Sequence, residues 1–527
     1  MNSSGQELQR GVESALNHHR QGRFTEAESG YRQLLTVAPD CFDALHLLGI
    51  LYRQTGKTAA AIDLIARALA VNDRVPAAHN NLGVAYQASN RHEEALRCYG
   101  VAISLSPEYA EAYYNLATAL SAVGRQLEAE HSYRKAIEYN PNYVEAYNNL
   151  GVTLRERDKQ EEAVTAFENA LRIRPSAEIY GNLGAALRAM GEPEQAEAAY
   201  GQAVALDPDF MEAHHNLSHA QLIQGKYTEG FARNESRFEV GSGKRYKEGV
   251  LGRFRRFRRW EGESLAGRSL LVITEQGIGD NIMMMRYLPL LKQQNLEKLT
   301  LCYHHSSLKR LLQNMPGVDA VVSLVEGSAL DEPDLYCPSM SLPHLFRTTI
   351  DTVPNGPPYL LLPAGMREPW RNRLAGMKGP KVGLVWAAGC YLNQCDELRS
   401  IPLSAFAPLV GIPGLNFVTL QKDEAALQKR ELGWELLDWM DDCADFLDTA
   451  ALVAELDLVI SVDTAVVHLA GALGKPVWLL NRFAGDWRWL QKRDDSPWYP
   501  SVRIFRQQQR GDWSGVMSTL ADELRRL

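Results

Sequence analysis

No run of eighteen or more apolar residues interrupts these 527 residues, so a helix that crosses a bilayer is not expected. The opening segment, MNSSGQELQRGVESALNHHRQG, lacks the basic stretch and apolar core of a secretory leader. Cysteine is scarce: seven residues, an odd number with no C-x-x-C pair, argue against a disulfide framework and for reduced thiols in a cytoplasmic compartment. Charge of either sign is not in large excess, and a formal net charge of -8 excludes a surface built throughout for nucleic acid. What remains, 45% hydrophobic and 23% charged, is the composition of a soluble globular protein long enough for three or four domains.

The first half is periodic. Leu82, Leu116 and Leu150 fall in register at a step of 34 residues, followed by Ala95, Ala129 and Ala163, then Tyr99, Tyr133 and Phe167, then Pro107, Pro141 and Pro175. That step and that order of small, aromatic and proline positions define the tetratricopeptide repeat. Small residues let two antiparallel helices approach, the aromatic fills the gap to the next repeat, and proline is expected to start the next helix. Six repeats are readable from about residue 8 to 210, with one step of 33 before Leu183, and a degenerate helix pair follows to about residue 239.

Stacked repeats make a solenoid with a concave groove suited to an extended ligand. Asn81, Asn115, Asn149, Asn182 and Asn216 occupy one position on successive first helices and form an expected ladder along the inner surface. A side-chain amide both donates and accepts, which suits a peptide backbone of any sequence. The row resembles the asparagine ladder of eukaryotic O-linked N-acetylglucosamine transferases. Asparagine is also a favoured residue at this position in repeats generally.

Eight basic residues lie between Lys244 and Arg259 against one acid, Glu248, with Phe254, Phe257 and Trp260 interleaved. Such a run suits phosphate, acidic lipid or nucleic acid, but without a recognition fold it reads first as a solvated connector. Contact with a membrane surface through residues 244–260 is the alternative; nucleic acid is not an expected partner.

From about residue 265 strands and helices alternate. Apolar strands are expected at Leu270 to Thr274, Leu299 to Tyr303, Ala320 to Leu324, Val382 to Trp386, Asn416 to Leu420, Leu456 to Ser461 and Pro476 to Leu480. This pattern implies parallel sheets covered on both faces, divided by the proline-rich stretch DTVPNGPPYLLLPAGMREPW into two doubly wound, Rossmann-like halves with a cleft between them. The expected division is a solenoid over 1–239, a basic linker over 240–264, a first half over 265–365, an inter-domain linker over 366–380 and a donor-binding half over 381–527.

Ligands of such sheets sit at the carboxyl ends of the strands. The first strand runs into LLVITEQGIGD, whose loop lacks the third glycine of a dinucleotide fingerprint, Ile282 standing there, and lacks the lysine and serine or threonine of a Walker loop. What is left is a tight turn, Gly277 and Gly279, presenting the Asp280 carboxylate, or capping a helix that begins near Asn281. A second strand ends in ISVDTAVVHLAG, where Asp463 is expected to cap a helix starting near Thr464 and where free amides make a seat for a diphosphate. Thr464 and His468 are four apart and share a face.

EQGIGD, SVDTAVVHLAGALGKPVWLL and DWRWLQKRDDSPWYPSVRIFRQ together resemble the carboxyl-terminal region of bacterial tetratricopeptide proteins joined to a heptosyltransferase-like GT-B module of glycosyltransferase family 9. The resemblance implies an inverting, metal-independent glycosyltransferase with no cofactor and a nucleotide-diphosphate sugar as donor. Asp280 would be the general base. Gly277, Gly279, Arg399, Asp463, Thr464, Ala465 and His468 would form the donor site, and Trp487, Trp489 and Trp498 would line its cleft or pack beneath it. The chain departs from that pattern at Ala465, where heptosyltransferases have glycine, and at Asn393 and Glu397, where repeat-linked relatives have histidine and arginine. A glutamate in place of an arginine beside a diphosphate reverses the local charge. Three readings therefore stand: an enzyme whose solenoid recruits a protein or peptide acceptor, a repeat scaffold with a degenerate nucleotide-binding module, or a transferase acting on lipid or envelope glycan.

Overall fold

The computed structural model describes residues 3–323, 331–356, 358–391, 394–395, 399–422, 424–430, 434 and 436–527. It divides into two compact units, Met1–Met190 and Gly191–Leu527.

The first unit is the repeat array, consecutive antiparallel helices from Ser3–Arg20 to Ala177–Ala189. Ala95, Ala129 and Ala163 are fully buried, as are Tyr99 and Phe167. A Cβ on Gly83 would stand 2.5 Å from the Tyr99 ring, and one on Gly151 would stand 2.6 Å from Phe167. The first helix of each of these repeats is therefore held against the aromatic of the second, and only glycine fits at the crossing. The prolines act differently from expectation. Pro107 and Pro141 sit in the turns before helices that open at Ala110 and Val144, whereas Pro76 does occupy the first turn of its helix, Pro76–Gln87. The turn needs a fixed φ and no donor, which proline supplies without entering the helix.

The second unit begins one helix before the seventh pair, Met211–Ile223 and Tyr227–Asn234. Its boundary thus lies well before residue 239, because Tyr227 and Phe231 are buried in the core that contains Trp487 and Trp498. Phe231 meets both indoles edge-on, and the Trp498 Nε1–H donates to the Tyr227 hydroxyl at 2.9 Å.

Two parallel sheets follow. Strands β1 (Arg258–Arg259), β2 (Ser269–Ile273), β3 (Lys298–Tyr303), β4 (Ala320–Ser323) and β5 (Leu335–Pro338) are ordered β1-β5-β2-β3-β4. Strands β6 (Lys381–Val385), β9 (Asn416–Thr419), β10 (Leu437–Asp438), β11 (Leu458–Val462), β12 (Val477–Asn481) and β13 (Val502–Arg506) are ordered β10-β9-β6-β11-β12-β13. A short hairpin, β7 (Cys390–Tyr391) with β8 (Gln394–Cys395), lies between β6 and β9 in the chain. The seven expected strands are present, and β1, β5, β10 and β13 join them. The second sheet has the doubly wound order, with its switch point between β6 and β11; in the first, the order reverses between β2 and β5. These are the two Rossmann-like layers of the GT-B architecture.

Two expected linkers are folded. Residues 240–264 carry a helix, Gly241–Gly249, and strand β1, which pairs with β5. Phe254 and Trp260 are buried, so the interleaved aromatics anchor this segment to the first sheet while most of its cations point outward. Residues 366–380 include a helix, Glu368–Leu374, whose Trp370 and Leu374 are buried.

Candidate active site at two sheet switch points

Strand β2 ends against the first candidate loop. Gln276 takes a left-handed conformation, φ 62°, and Gly277 caps a helix running Ile278–Met284. Asn281 ties the turn together: its amide oxygen accepts from Glu275 N–H at 3.1 Å and its amide nitrogen donates to the Gly277 carbonyl at 2.9 Å. Asp280 is not in front of the helix but in its first turn, where one carboxylate oxygen accepts the Gly277 N–H at 3.1 Å. The helix opens three residues earlier than expected because glycine at the cap lets Asp280 reach back over it.

Behind the loop, Glu275 is buried. It receives two bonds from the buried Arg237, at 2.8 and 3.0 Å, and one from Met340 N–H at 2.8 Å at the end of β5. His304 and His305, following β3, both point Nε2 at the Gln276 carbonyl from 3.2 Å. Burial and the neighbouring His305 lower the His304 pKa below its ordinary value.

Strand β11 leads to the second loop. The helix is Ala465–Ala472, and its cap is Thr464, whose hydroxyl accepts from Val466 N–H, rather than Asp463. Thr464 is extended and its hydroxyl sits 3.1 Å from that of Ser461, which leaves the Asp463 side chain outside the cap. Arg399, on the segment that follows β6, donates to the Asp463 carbonyl at 3.2 Å. Arg399 and the Thr464 helix start are thus neighbours at the switch point of the second sheet. Asn393 and Glu397 lie outside the described residues.

The two helices cross in contact. A Cβ on Gly279 would stand 2.5 Å from His468 Cδ2, and Ala465 Cα would be 3.4 Å from it. His468 is only 4% exposed, its Nδ1 lies 3.0 Å from the Tyr499 hydroxyl, and its ring stacks on Trp489. Burial, with Arg488 and Arg286 nearby, pushes its pKa well below the ordinary histidine value, so it is neutral. The tryptophans expected to border the donor are core residues: Trp487, Trp489 and Trp498 are all buried, the first and last against Phe231 and the second against His468.

At the meeting point of the loops stands Arg488, which sequence reasoning missed. It pairs with the free oxygen of Asp280 and, through NH1, with Asp486 at 2.5 Å. Burial opposes its charge, but Asp280, Asp486 and Asp463 outweigh that and raise its pKa. Burial and the Asp486 carboxylate raise the pKa of Asp463, against the pull of Arg488 and Arg399. The signal was within DWRWL, where an aspartate two residues before an arginine is framed by tryptophans.

The ladder asparagines are half-buried. Asn115 and Asn182 donate to Asn80 and Asn148 of the preceding repeat at 3.0 Å, Asn149 donates to the Tyr114 hydroxyl at 3.2 Å, and Asn81 lies 3.0 Å from His46 Nε2. Asn216 holds the same position in the seventh pair and is also half-buried. The row is therefore stitched along the array by its own amides.

Tetratricopeptide-repeat models match residues 13–79, 88–124, 110–143, 132–165 and 177–210, and the model of glycosyltransferase family 9 (heptosyltransferase) matches residues 444–504, the stretch that holds Asp463, Thr464, His468 and Arg488. The chain is thus similar to tetratricopeptide repeats through its first part and to family 9 glycosyltransferases over residues 444–504. Protein FlbA of Caulobacter vibrioides is 31% identical over 325 residues, 58% of this chain, and the match spans about half of that relative's own length, 53%. Among solved structures, MamA is 26% identical over 30% of this chain and 93% of its own, with a TM-score of 0.29. Pseudomonas aeruginosa PilF is 18% identical over 41% of this chain and 98% of its own, with a TM-score of 0.38. Among the described residues no helix is long and apolar enough to cross a membrane.

Proposed function

We propose that this chain is an inverting glycosyltransferase that takes a nucleotide-diphosphate sugar, needs no bound metal, and recruits a protein or peptide acceptor through its repeats. The observation that carries the reading is the meeting of Asp280, from the switch point of one sheet, with Arg488 and the Thr464 helix start, from the other. An inverting displacement needs those parts. Asp280 takes the proton from the acceptor hydroxyl as its oxygen attacks the anomeric carbon. The bond from that carbon to the diphosphate oxygen breaks, and the nucleoside diphosphate leaves with the electron pair. Its charge falls to Arg399, Arg488 and the backbone amide of Ala465 at the helix start, which supply the positive field that a metal supplies elsewhere.

Asp280→Asn keeps a group able to accept the Gly277 N–H but removes the base. Transfer from the preferred nucleotide sugar, followed by release of nucleoside diphosphate, should fall about a hundredfold or more, while the folded state persists. An unchanged rate would reduce Asp280 to a cap.

The scaffold reading draws on a specific observation, that both Asp280 oxygens are already engaged, one by Gly277 and one by Arg488. A parent chain that releases no nucleoside diphosphate from any nucleotide sugar, yet retains partners on its repeats, would favour it. A lipid or envelope-glycan acceptor has weaker support. The exposed cations Lys244, Arg245 and Arg255 suit an acidic surface, but Phe254 and Trp260 point inward and offer nothing to insert.

A further inference from the structure

Arg488 is placed to do more than neutralise its neighbours. Its backbone lies in a short turn, Trp487–Trp489, whose tryptophans are both buried, so the main chain there is held. Asp486 accepts from both the Arg488 N–H, at 3.1 Å, and its NH1, at 2.5 Å. The guanidinium also lies over the Trp487 ring, 4.5 Å from its centroid. One side of the guanidinium is thus anchored from below. The other, NH2, faces Asp280 across the junction of the two sheets. The carboxylate of Asp463, at the mouth of the diphosphate seat, is the third acid in its field.

We propose that Arg488 couples donor binding to release of the base: the incoming diphosphate draws its NH2 away from Asp280, and only then is that carboxylate free to accept a proton from the acceptor. The proposal rests on the transferase reading above. Before donor binds, the Asp280 charge is paired with Arg488 through one oxygen while the other holds the Gly277 N–H. A diphosphate at the Thr464 helix start presents more negative charge to the guanidinium than one carboxylate does, and the Asp486 anchor lets NH2 swing without moving the main chain. No bond is made or broken in this step; one charge-assisted hydrogen bond is exchanged for another. Donor must then precede acceptor, and water meets an unoccupied base only when a donor is already in place.

The test is a double-mutant cycle on the full chain, read by calorimetry with uridine, guanosine, adenosine and cytidine diphosphates as probes. Asp280 competes with the diphosphate for Arg488, so Asp280→Asn should tighten binding of the preferred diphosphate by about fivefold or more, the lower end of ordinary coupling between sites. The same change made on an Arg488→Lys background, which keeps the charge but lacks the planar fork that sets NH1 on Asp486 and NH2 on Asp280, should tighten it little. Arg488→Gln removes the charge altogether and should abolish the tightening; the lysine variant guards against its failing to fold among three carboxylates. Equal affinity of parent and Asp280→Asn, or a tightening that survives both changes at Arg488, overturns the coupling and leaves the transferase reading standing. A parent that binds none of the four probes and consumes no nucleotide sugar overturns both.

Discussion

The repeat array and the paired sheets are stabilised in opposite ways. In the array contacts recur two repeats later: Gly83 against Tyr99 is repeated as Gly151 against Phe167, and Asn115 to Asn80 as Asn182 to Asn148. In the sheets the decisive contacts occur once and join distant parts of the chain, Asp280 to Arg488 across 208 residues and Tyr227 to Trp498 across 271. Repetition spreads the load, so a single loss is local. A unique contact has no substitute, so its loss is felt by the whole unit.

That contrast is most exposed at Glu275. Its partner Arg237 is buried, and Glu275→Gln would leave that guanidinium with only Glu235, itself shared with Arg259, to balance it. The second unit should lose about 3 to 5 kcal/mol, read as a lower midpoint in denaturant unfolding, with the transition of the repeat array unmoved. A shift of both transitions together would erase the distinction.

The next effect is a pH dependence confined to the sheets. His468 is buried and neutral, with its folded pKa depressed well below 6.5. The unfolded chain therefore binds a proton that the folded chain refuses, and stability is lost as pH falls below the unfolded value. Each unit of pH in that window should cost about 1.4 kcal/mol from this residue alone, and His468→Gln should flatten the slope by that amount. An equal slope in parent and variant would mean that other buried groups govern the acid limb.

The smallest effect belongs to the array. Asn115→Ala removes one bond to the preceding repeat and should cost about 0.5 to 1.5 kcal/mol, seen as faster amide exchange near Asn80 and little change elsewhere. A global loss of cooperativity from this one change would show that the ladder is a spine and not a set of equivalent rungs.

The same difference explains what could be read beforehand. The array was legible because every position is tested several times over by its neighbours one period away. The strands were legible wherever an apolar run was uninterrupted; β5, Leu335–Pro338, ends in proline, and β13, Val502–Arg506, is broken by Arg503. The basic run was misread because charge is counted more readily than spacing, although Phe254, Phe257 and Trp260, three apart, already marked an inward face. At the candidate site, Asp280 and Thr464 carry local signatures, a glycine turn and a helix start. Arg488 carries only the local trace of its Asp486 anchor in DWRWL; its ion pair with Asp280, across two hundred residues, leaves none in the order of the letters.

The aromatic cluster of Tyr227, Phe231, Trp487 and Trp498 bears on how such a chain can be recombined. Its last helical hairpin is a fixture of the sheet-bearing unit, whatever its ancestry as a repeat. An exchangeable recognition cassette would therefore end near Met190, and a graft cut at residue 239 would carry off Tyr227 and Phe231 and uncover the faces of Trp487 and Trp498 that they protect.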